Sequence, residues 1–556
     1  MNKPDYEVIA AEIKALIEGD VSVTELDREK VARDTSIFYL KPEVVVYPKH
    51  TNDISKLCEY VYTKKKTTGA SLSVTMRAAG TCMTGGPLST SIVVDATRYM
   101  NHIQSVTEDY AKAEPGVYYR DFEKQTLAHG WLMPSYPASR ELAAIGGIVS
   151  NNSGGEKTLT YGKTEKYVQA LEVVYANGEH DLLRSLTKTE LEQKMLEPTE
   201  GGRIHKAVYE LITGNQDIIS SAKPTVSKNS SGYYLWNVYD SSTGDFDLTK
   251  LVVGSQGTLA CVTSATFTGV KPRTHSRMLV MFVPSTVHLG EIIVELLKHK
   301  PETIESYDDN VFKIAIKFFK DIAVRMGGNM FTLGFQFLPE FWMAVTGGVP
   351  KIILMAEFTG DSEEDVDMQL ASAYKAMKVF NLPTKLIKTA QGAKKYWTFR
   401  RESFALLRSH MQGTRTVPTI DDIVVHPLDL PEFLPKLDAI FKKEVYKDLV
   451  YTVQGHMGDA NFHIIPLVDI HKEGIVQVLH QLMDEVYDLT FMYKGSMSAE
   501  HNDGLLRTAY LEKMFGKEMI TLFEKTKDIF DPLNILNPGK KVYGDKEFAW
   551  KHIDTQ

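Results

Sequence analysis

The chain reads as an α+β protein built from two unequal units that meet near residue 270. Three observations predict this. Short apolar strands alternate with amphipathic helices from Pro42 to Val270, the alternation restarts after Pro272, and no internal repeat or low-complexity tract interrupts either stretch. At 556 residues the chain is also too long for one simple core. The boundaries read from these shifts are an N-terminal helical segment (1–40), a first domain (41–270), a second domain (271–505) and a C-terminal segment (506–556).

In chain order, the first twenty residues place acids inside a helically spaced apolar pattern and lack a signal-peptide core, so an amphipathic helix is expected. The segment PEVVVYP reads as a strand, and Thr51-Asn-Asp opens a helix through Ile54–Tyr62. SLSVTMRAAG reads as a strand running into a glycine turn, SIVVDAT and AKAEPGV as short strands, and Tyr119–His129 as a helix. LEVVYANGEHDLL carries the Asn-Gly signal of a hairpin. KLVVGSQGTLACVTSATF is expected to be one strand closing the first domain. In the second domain, RMLVMFVPS and PKIILMAEF read as strands, each followed by a helix behind a Ser/Thr cap. LVYTVQGHMGDANFHIIPLV reads as two strands around a tight turn, and Leu506–Phe530 as a helix stopped by Asp531-Pro532.

Composition narrows the function. A net charge of -8 argues against nucleic acid as the main partner, which would need a concentrated basic face. The three cysteines, Cys58, Cys82 and Cys261, are far apart and form no CxxC pair, which argues against a thiolate zinc site or an internal iron–sulfur cluster. Sparse cysteine and the missing signal core point to a cytoplasmic protein. The least polar stretch, Met330–Gly348, is broken by Gln336, Pro339 and Glu340; a buried or capping segment is expected, with peripheral contact at the inner face of the membrane as the second option.

Three segments concentrate small residues where strands end: 77–86 (RAAGTCMTGG), 144–155 (AIGGIVSNNSGG) and 254–258 (GSQGT). Small residues let backbone N–H groups approach a pyrophosphate and form an anion-binding nest. Neither a GxGxxG fingerprint nor a GxxxxGK[ST] loop occurs, which disfavours a Rossmann nicotinamide site and a P-loop. Singly each segment is an ordinary turn; three in this order are a nucleotide cradle.

Their order and wording resemble the PCMH-type FAD-binding fold, over roughly Val44 to Val270. The resemblance implies FAD, contacted from the first segment by Arg77, Ala79, Gly80, Thr81, Met83, Thr84 and Gly85. From the segment beginning Pro134-Ser-Tyr-Pro it implies Pro137, Ala144, Gly146, Gly147, Ser150, Asn151, Gly154, Gly155, Tyr161 and Gly162. From VGSQGTLACVT, similar to the family's VGSEGTLGIVT, it implies Gln256, Gly257, Leu259 and Val262. Ala78-Ala79 and Gln256 depart from the family's usual Gly and Glu.

A second signal lies in 455–463 (GHMGDANFH). His456 and His463 flank the expected turn, so a hairpin can bring both imidazoles together. Two neutral imidazoles suit a divalent metal once a carboxylate joins them, and Glu500, in 498–504 (SAEHNDG), is the candidate third ligand. Such a site could equally activate water in a zinc hydrolase, with the glycine segments as plain turns.

The pattern also resembles the C-terminal domain of FAD-linked D-2-hydroxyacid dehydrogenases, through their HxGDxNxH and EHG motifs. That resemblance implies an antiparallel cap domain, a divalent metal, zinc in the first instance, on His456, His463 and Glu500, substrate contact by Asn461, and His501 as general base. Trp397-Thr-Phe-Arg400 resembles the family's W-x-x-R and implies Arg400 at the substrate carboxylate. Ile420 stands where some 2-hydroxyglutarate enzymes carry a second basic residue, which favours a monocarboxylate such as D-lactate. The closing DPLNILNPGK matches the family's DPxxxxNPGK and implies that the tail returns to the flavin domain with Asn537 near the ring. Longer bacterial relatives carry a C-terminal iron–sulfur domain; this chain ends before one, so electrons are expected to leave to a separate quinone, electron-transfer flavoprotein, iron–sulfur protein or oxygen. A flavin-fold binding subunit without activity is the remaining alternative.

Overall fold

The structure is a computed structural model that describes residues 5–309, 350–410 and 413–555. The apolar stretch Met330–Gly348 lies outside the described residues.

The first domain holds two sheets. In the smaller, strands run in the order Asp20–Ser22, Val44–Tyr47, Ile92–Asp95, Val74–Arg77, with the last three parallel. Continuous burial of 44–47 and 92–95 follows from cover on both faces. Val44, Val46, Ile92 and Val94 pack under the helices Tyr6–Leu16 and Thr51–Thr68, while Val45, Tyr47 and Val93 pack against Val31. The second sheet is antiparallel, in the order 103–106, 111–113, 261–267, 168–174, 180–186, 246–247. It contains the expected hairpin Val168–Val174/His180–Leu186, turning at Gly178.

The expected strand from Lys250 does not form. Thr249–Val252 is a short helix, started by Asp247, whose Oδ1 accepts from Thr249 N (2.9 Å) and Oγ1 (2.6 Å). The strand begins only at Cys261. Local side-chain capping at Asp247 outcompetes the β-branched pattern there.

The second domain is a large antiparallel sheet, ordered Thr384–Ile387, His275–Val283, Ile352–Gly360, Thr303–Asp308, Val450–His456, Asn461–Val468, Arg415–Thr416, with Ile420–Val424 also paired to Asn461–Val468. The helices Leu289–Leu297, Glu363–Met377, Leu430–Phe441 and Ile475–Met492 bury apolar residues against it in one core. Ser362 caps the second of these as its sequence predicts. The C-terminal helix is less regular than expected: Gly504–Arg507 and a 3-10 turn precede Leu511–Phe530, which kinks at Gly516 (φ 78°). Its residues Leu522, Phe523 and Phe530 join the first domain's core, and Leu536 bridges Val74. No described helix is long and apolar enough to cross a membrane.

Candidate active site

A cavity of about 440 Å³ runs between the two domains, within the size range of small-molecule sites. One end is walled by all three small-residue segments; the other by Glu305, Arg400, Gln454, His456, His463, Glu500 and His501. Only the first of the three segments follows a strand end as expected; 144–155 is largely the helix Ile145–Asn151, and 254–258 joins the helix Thr249–Val252 to the strand Cys261–Phe267. The chain leaves Val74–Arg77 through Ala78-Ala79 and turns at Gly80 (φ 70°), where a Cβ would overlap the Arg77 guanidinium. Arg77 is itself anchored, donating to the carbonyls of Val31 and Arg33. Among the described residues, the backbone N–H groups of Ala79, Gly80 and Thr81 have no acceptor within the protein. At Gly147 an added Cβ would meet nothing closer than Ala78, 3.9 Å away, so this backbone is open to the cavity. Free amides and bare backbone facing one cleft fit the phosphates and ring of a dinucleotide.

Most residues expected around the cofactor line this cavity: Arg77, Ala79, Gly80, Thr81, Met83, Pro137, Ala144, Gly146, Gly147, Ser150, Asn151, Gly154, Gln256, Gly257 and Val262. Thr84, Gly85, Gly155, Tyr161, Gly162, Leu259 and Asn537 are not among the lining residues. Their bonds show what they do instead. The Asn537 amide donates to the carbonyls of Gly86 (2.9 Å) and Gln256 (2.7 Å), bracing two cradle segments from behind. Tyr161 donates at 2.8 Å to Glu302, just before the second domain's strand Thr303–Asp308.

The second wall is built on the antiparallel pair Val450–His456/Asn461–Val468. A 3-10 turn over Met457–Asp459 and a left-handed Ala460 return the chain, so both histidines reach one point. His456 Nε2 lies 3.2 Å and His463 Nε2 3.4 Å from Glu500 Oε1. Each imidazole's Nδ1 faces a pure acceptor: Glu305 Oε1 at 2.7 Å for His456, the Asp421 carbonyl at 2.6 Å for His463. These bonds hold the proton on Nδ1 and leave the Nε2 lone pairs turned to Glu500, the arrangement second-shell partners impose on metal-binding histidines. Two imidazole nitrogens and a carboxylate oxygen at one point fit a divalent cation. Ligand-capable atoms of Asp422, His463, Glu500 and His501 also lie within 4.8 Å of one another. Asp422 is engaged otherwise: its Oδ2 accepts from Glu500 N, His501 N and Ser498 Oγ, at 2.9, 2.7 and 2.7 Å. It is the bracket that fixes the Glu500–His501 backbone. Asn461 is fully buried, absent from the cavity lining, and donates to Asp422 Oδ1 and the Ile423 carbonyl, both at 3.2 Å, so it supports that bracket.

The electrostatics follow from burial and neighbours. Burial opposes ionisation of Glu500, but Lys228 and His456 hold its carboxyl well below the usual range. Burial also opposes charge on His501, whose Nδ1 stands 3.2 Å from Asp421 Oδ2; Asp421 and Asp422 outweigh it and push the imidazole up to about 9. Arg507, fully buried, donates to Asp421 Oδ1 at 2.8 Å and completes a chain of orienting contacts. Arg400 donates through Nε to Glu305 (3.2 Å) and through Nη1 to Gln454 (3.0 Å); among the described residues its Nη2 edge has no partner. Arg401 lines the same cavity and grips Glu156 with Nε and Nη2.

Glu305, Lys228, Asp421 and Arg507 escape sequence reasoning because each reaches the site from a different element with no motif spacing to mark it, whereas Arg401 stands beside Arg400 on the helix Ala390–His410. Ile420 lies in the second domain's core, so its apolar character answers to packing and says nothing about the cavity.

A family model described as "FAD binding domain" matches residues 42–181, and "FAD linked oxidases, C-terminal domain" matches residues 272–541. The chain is 26% identical over 534 residues to D-2-hydroxyglutarate dehydrogenase of Escherichia coli, covering 94% of this chain and 50% of that protein. It thus spans about half the length of the first curated relatives it matches. It is also 26% identical to D-lactate dehydrogenase of Anaerostipes hadrus, covering 98% of both, and to glycolate oxidase subunit GlcD of Bacillus subtilis, covering 91% and 90%. Among solved structures, 4-ethylphenol oxidase from Gulosibacter chungangensis matches with a TM-score of 0.67 at 14% identity, covering 98% of this chain and all of that one. p-Cresol methylhydroxylase matches with a TM-score of 0.67 at 14% identity, covering 98% of both, so the fold is of the PCMH type. With an FAD binding domain followed by an FAD-linked oxidase C-terminal domain, the chain belongs to the FAD-linked oxidase and dehydrogenase family.

Proposed function

We propose that the protein oxidises a small D-2-hydroxy acid, D-lactate in the first instance, to the 2-oxo acid with FAD as electron acceptor. The observation that carries this reading is the single cavity joining the small-residue cradle to the His/Glu cluster. Bound flavin supplies an acceptor for two electrons and the C2 hydrogen. His456, His463 and Glu500 would hold a divalent cation, which would supply Lewis acidity toward the substrate's oxygens. The chain's own groups do the rest. Arg400 offers Nη2 to the carboxylate while Glu305 and Gln454 hold its plane. His501, oriented by Asp421, is placed to take the hydroxyl proton at Nε2, the nitrogen that faces Glu500 at 3.7 Å; a cation held at Glu500 would oppose the charge that Asp421 and Asp422 favour on this imidazole and keep Nε2 free to accept. Electrons then pass to a separate acceptor, of the quinone, electron-transfer flavoprotein or iron–sulfur class.

A D-2-hydroxyglutarate reading is favoured by Arg401, a second guanidinium on the same cavity. Its bidentate pairing with Glu156 would have to open to bind a distal carboxylate, which is why the monocarboxylate is preferred. Arg401→Met tests this: unchanged turnover of D-lactate supports the monocarboxylate, and selective loss of D-2-hydroxyglutarate turnover supports the dicarboxylate. A zinc hydrolase without flavin is incompatible with a yellow preparation absorbing near 450 nm, about where oxidised flavins do.

A further inference from the structure

Lys228 is fully buried between the helix Gln216–Ala222 and the turn Leu235–Asn237, and nothing in the proposed reaction uses it. Burying an ammonium costs several kcal/mol unless its partners repay it, so its contacts are informative. Nζ donates to Glu500 Oε2 and to the Gly155 carbonyl, both at 3.2 Å, and stands 3.5 Å from Asp459 Oδ2. The three partners come from three distant stretches: the second cradle segment, the turn between the two histidines, and the Glu500 loop. Asp459 is held in turn by Ser227, whose hydroxyl donates to Oδ1 at 2.8 Å.

The consequence falls on Glu500. With Oε2 taken by Lys228, Oε1 is the oxygen that faces His456 and His463. The second cradle segment passes close to the same oxygen: a Cβ added at Gly154 would lie 3.4 Å from Oε2. We propose that Lys228 is a positioning residue of the divalent-cation site, fixing which oxygen Glu500 presents and tying that choice to the cofactor cradle through the Gly155 carbonyl. The proposal rests on reading His456, His463 and Glu500 as metal ligands.

The test measures zinc affinity of the purified flavoprotein by competition with a chromophoric chelator, with flavin absorbance as the check on folding. Lys228→Met keeps the stem and removes the charge. It is expected to weaken zinc about 10- to 100-fold, the usual cost of losing an outer-shell partner, while flavin stays bound. Lys228→Met/Asp459→Asn removes one buried charge of each sign, so it holds the fold if the single variant does not; zinc is expected to remain weakened. Zinc binding at wild-type affinity in either flavin-loaded variant overturns the proposal. If His456→Ala abolishes zinc binding while the Lys228 variants keep it, the ligand reading stands and the Lys228 role alone falls. A wild-type protein that binds no zinc overturns both.

Discussion

The two walls of the cavity are made of different material. The cradle is backbone: the turn after the strand Val74–Arg77, the short helix Ile145–Asn151 with the loop after it, and the turn between the helix Thr249–Val252 and the strand Cys261–Phe267, with few charged side chains among them. The opposite wall is side chain: Glu305, Arg400, His456, His463, Glu500 and His501, every one held by a partner from another part of the chain. A backbone wall recognises shape and phosphate charge and tolerates exchange of side chains that point away. A wall of buried charges carries the chemistry and fails when one member is lost, because its partners are left unpaired.

That contrast is broken most severely by a pair of substitutions expected to act in opposite senses. Gly147→Leu fills the cleft at the cradle and should abolish flavin binding while zinc binding persists. His456→Ala should abolish zinc binding while the flavin spectrum persists. Equilibrium dialysis for both ligands on both variants reads the result, and joint loss in either variant would show that the two walls are one cooperative unit. Next in size, His501→Ala is expected to slow substrate reduction of the flavin by about 10²- to 10⁴-fold, the range for a general base, with flavin retained; stopped-flow absorbance measures it. Arg400→Lys keeps the charge but loses the planar fork, and should raise KM for the hydroxy acid by about tenfold with a smaller effect on kcat.

The smallest effect lies under the cradle. Asp34 accepts from Gly85 N at 3.1 Å, and burial raises its carboxyl to about 6 against the lowering by Ser36. A raised folded value means that the stability it lends is complete below the unfolded value of about 4 and is lost as pH rises through about 6. Asp34→Asn should therefore lose less stability than the wild type between about pH 4 and about pH 6 in urea unfolding. Identical pH dependence of the two proteins would contradict that assignment.

The same contrast explains what could be read from the sequence. Small-residue runs such as 77–86 and 144–155 are local, so the cradle, the hairpin at Asn177-Gly178 and the turn between His456 and His463 are legible in the sequence alone. Supports assembled across long sequence separations were not: Glu305 meets His456 from 151 positions away, and Lys228 meets Glu500 from 272. Asn461, expected at the substrate from its motif, serves instead as a strut for Asp422, since motif spacing places a residue near a site without saying which way it faces. Ile420 is the same case: its position in a motif suggests the cavity, while in the structure it packs into the second domain's core with Ile423, across an irregular stretch of the strand. At Lys250–Val253 the apolar run predicted a strand, and a side-chain cap two residues before the helix decided otherwise.

The central claim is that one cavity joins a flavin to a charged wall that binds and deprotonates a 2-hydroxy acid. Anaerobic titration of the purified flavoprotein with D-lactate, D-2-hydroxyglutarate, glycolate and D-malate, followed at about 450 nm, tests it most directly. The account predicts bleaching by at least one D-2-hydroxy acid, fastest for D-lactate, and its loss after chelation with flavin still bound. A flavin that dithionite bleaches but none of these acids does, or one reduced equally well after complete removal of metal, would contradict it.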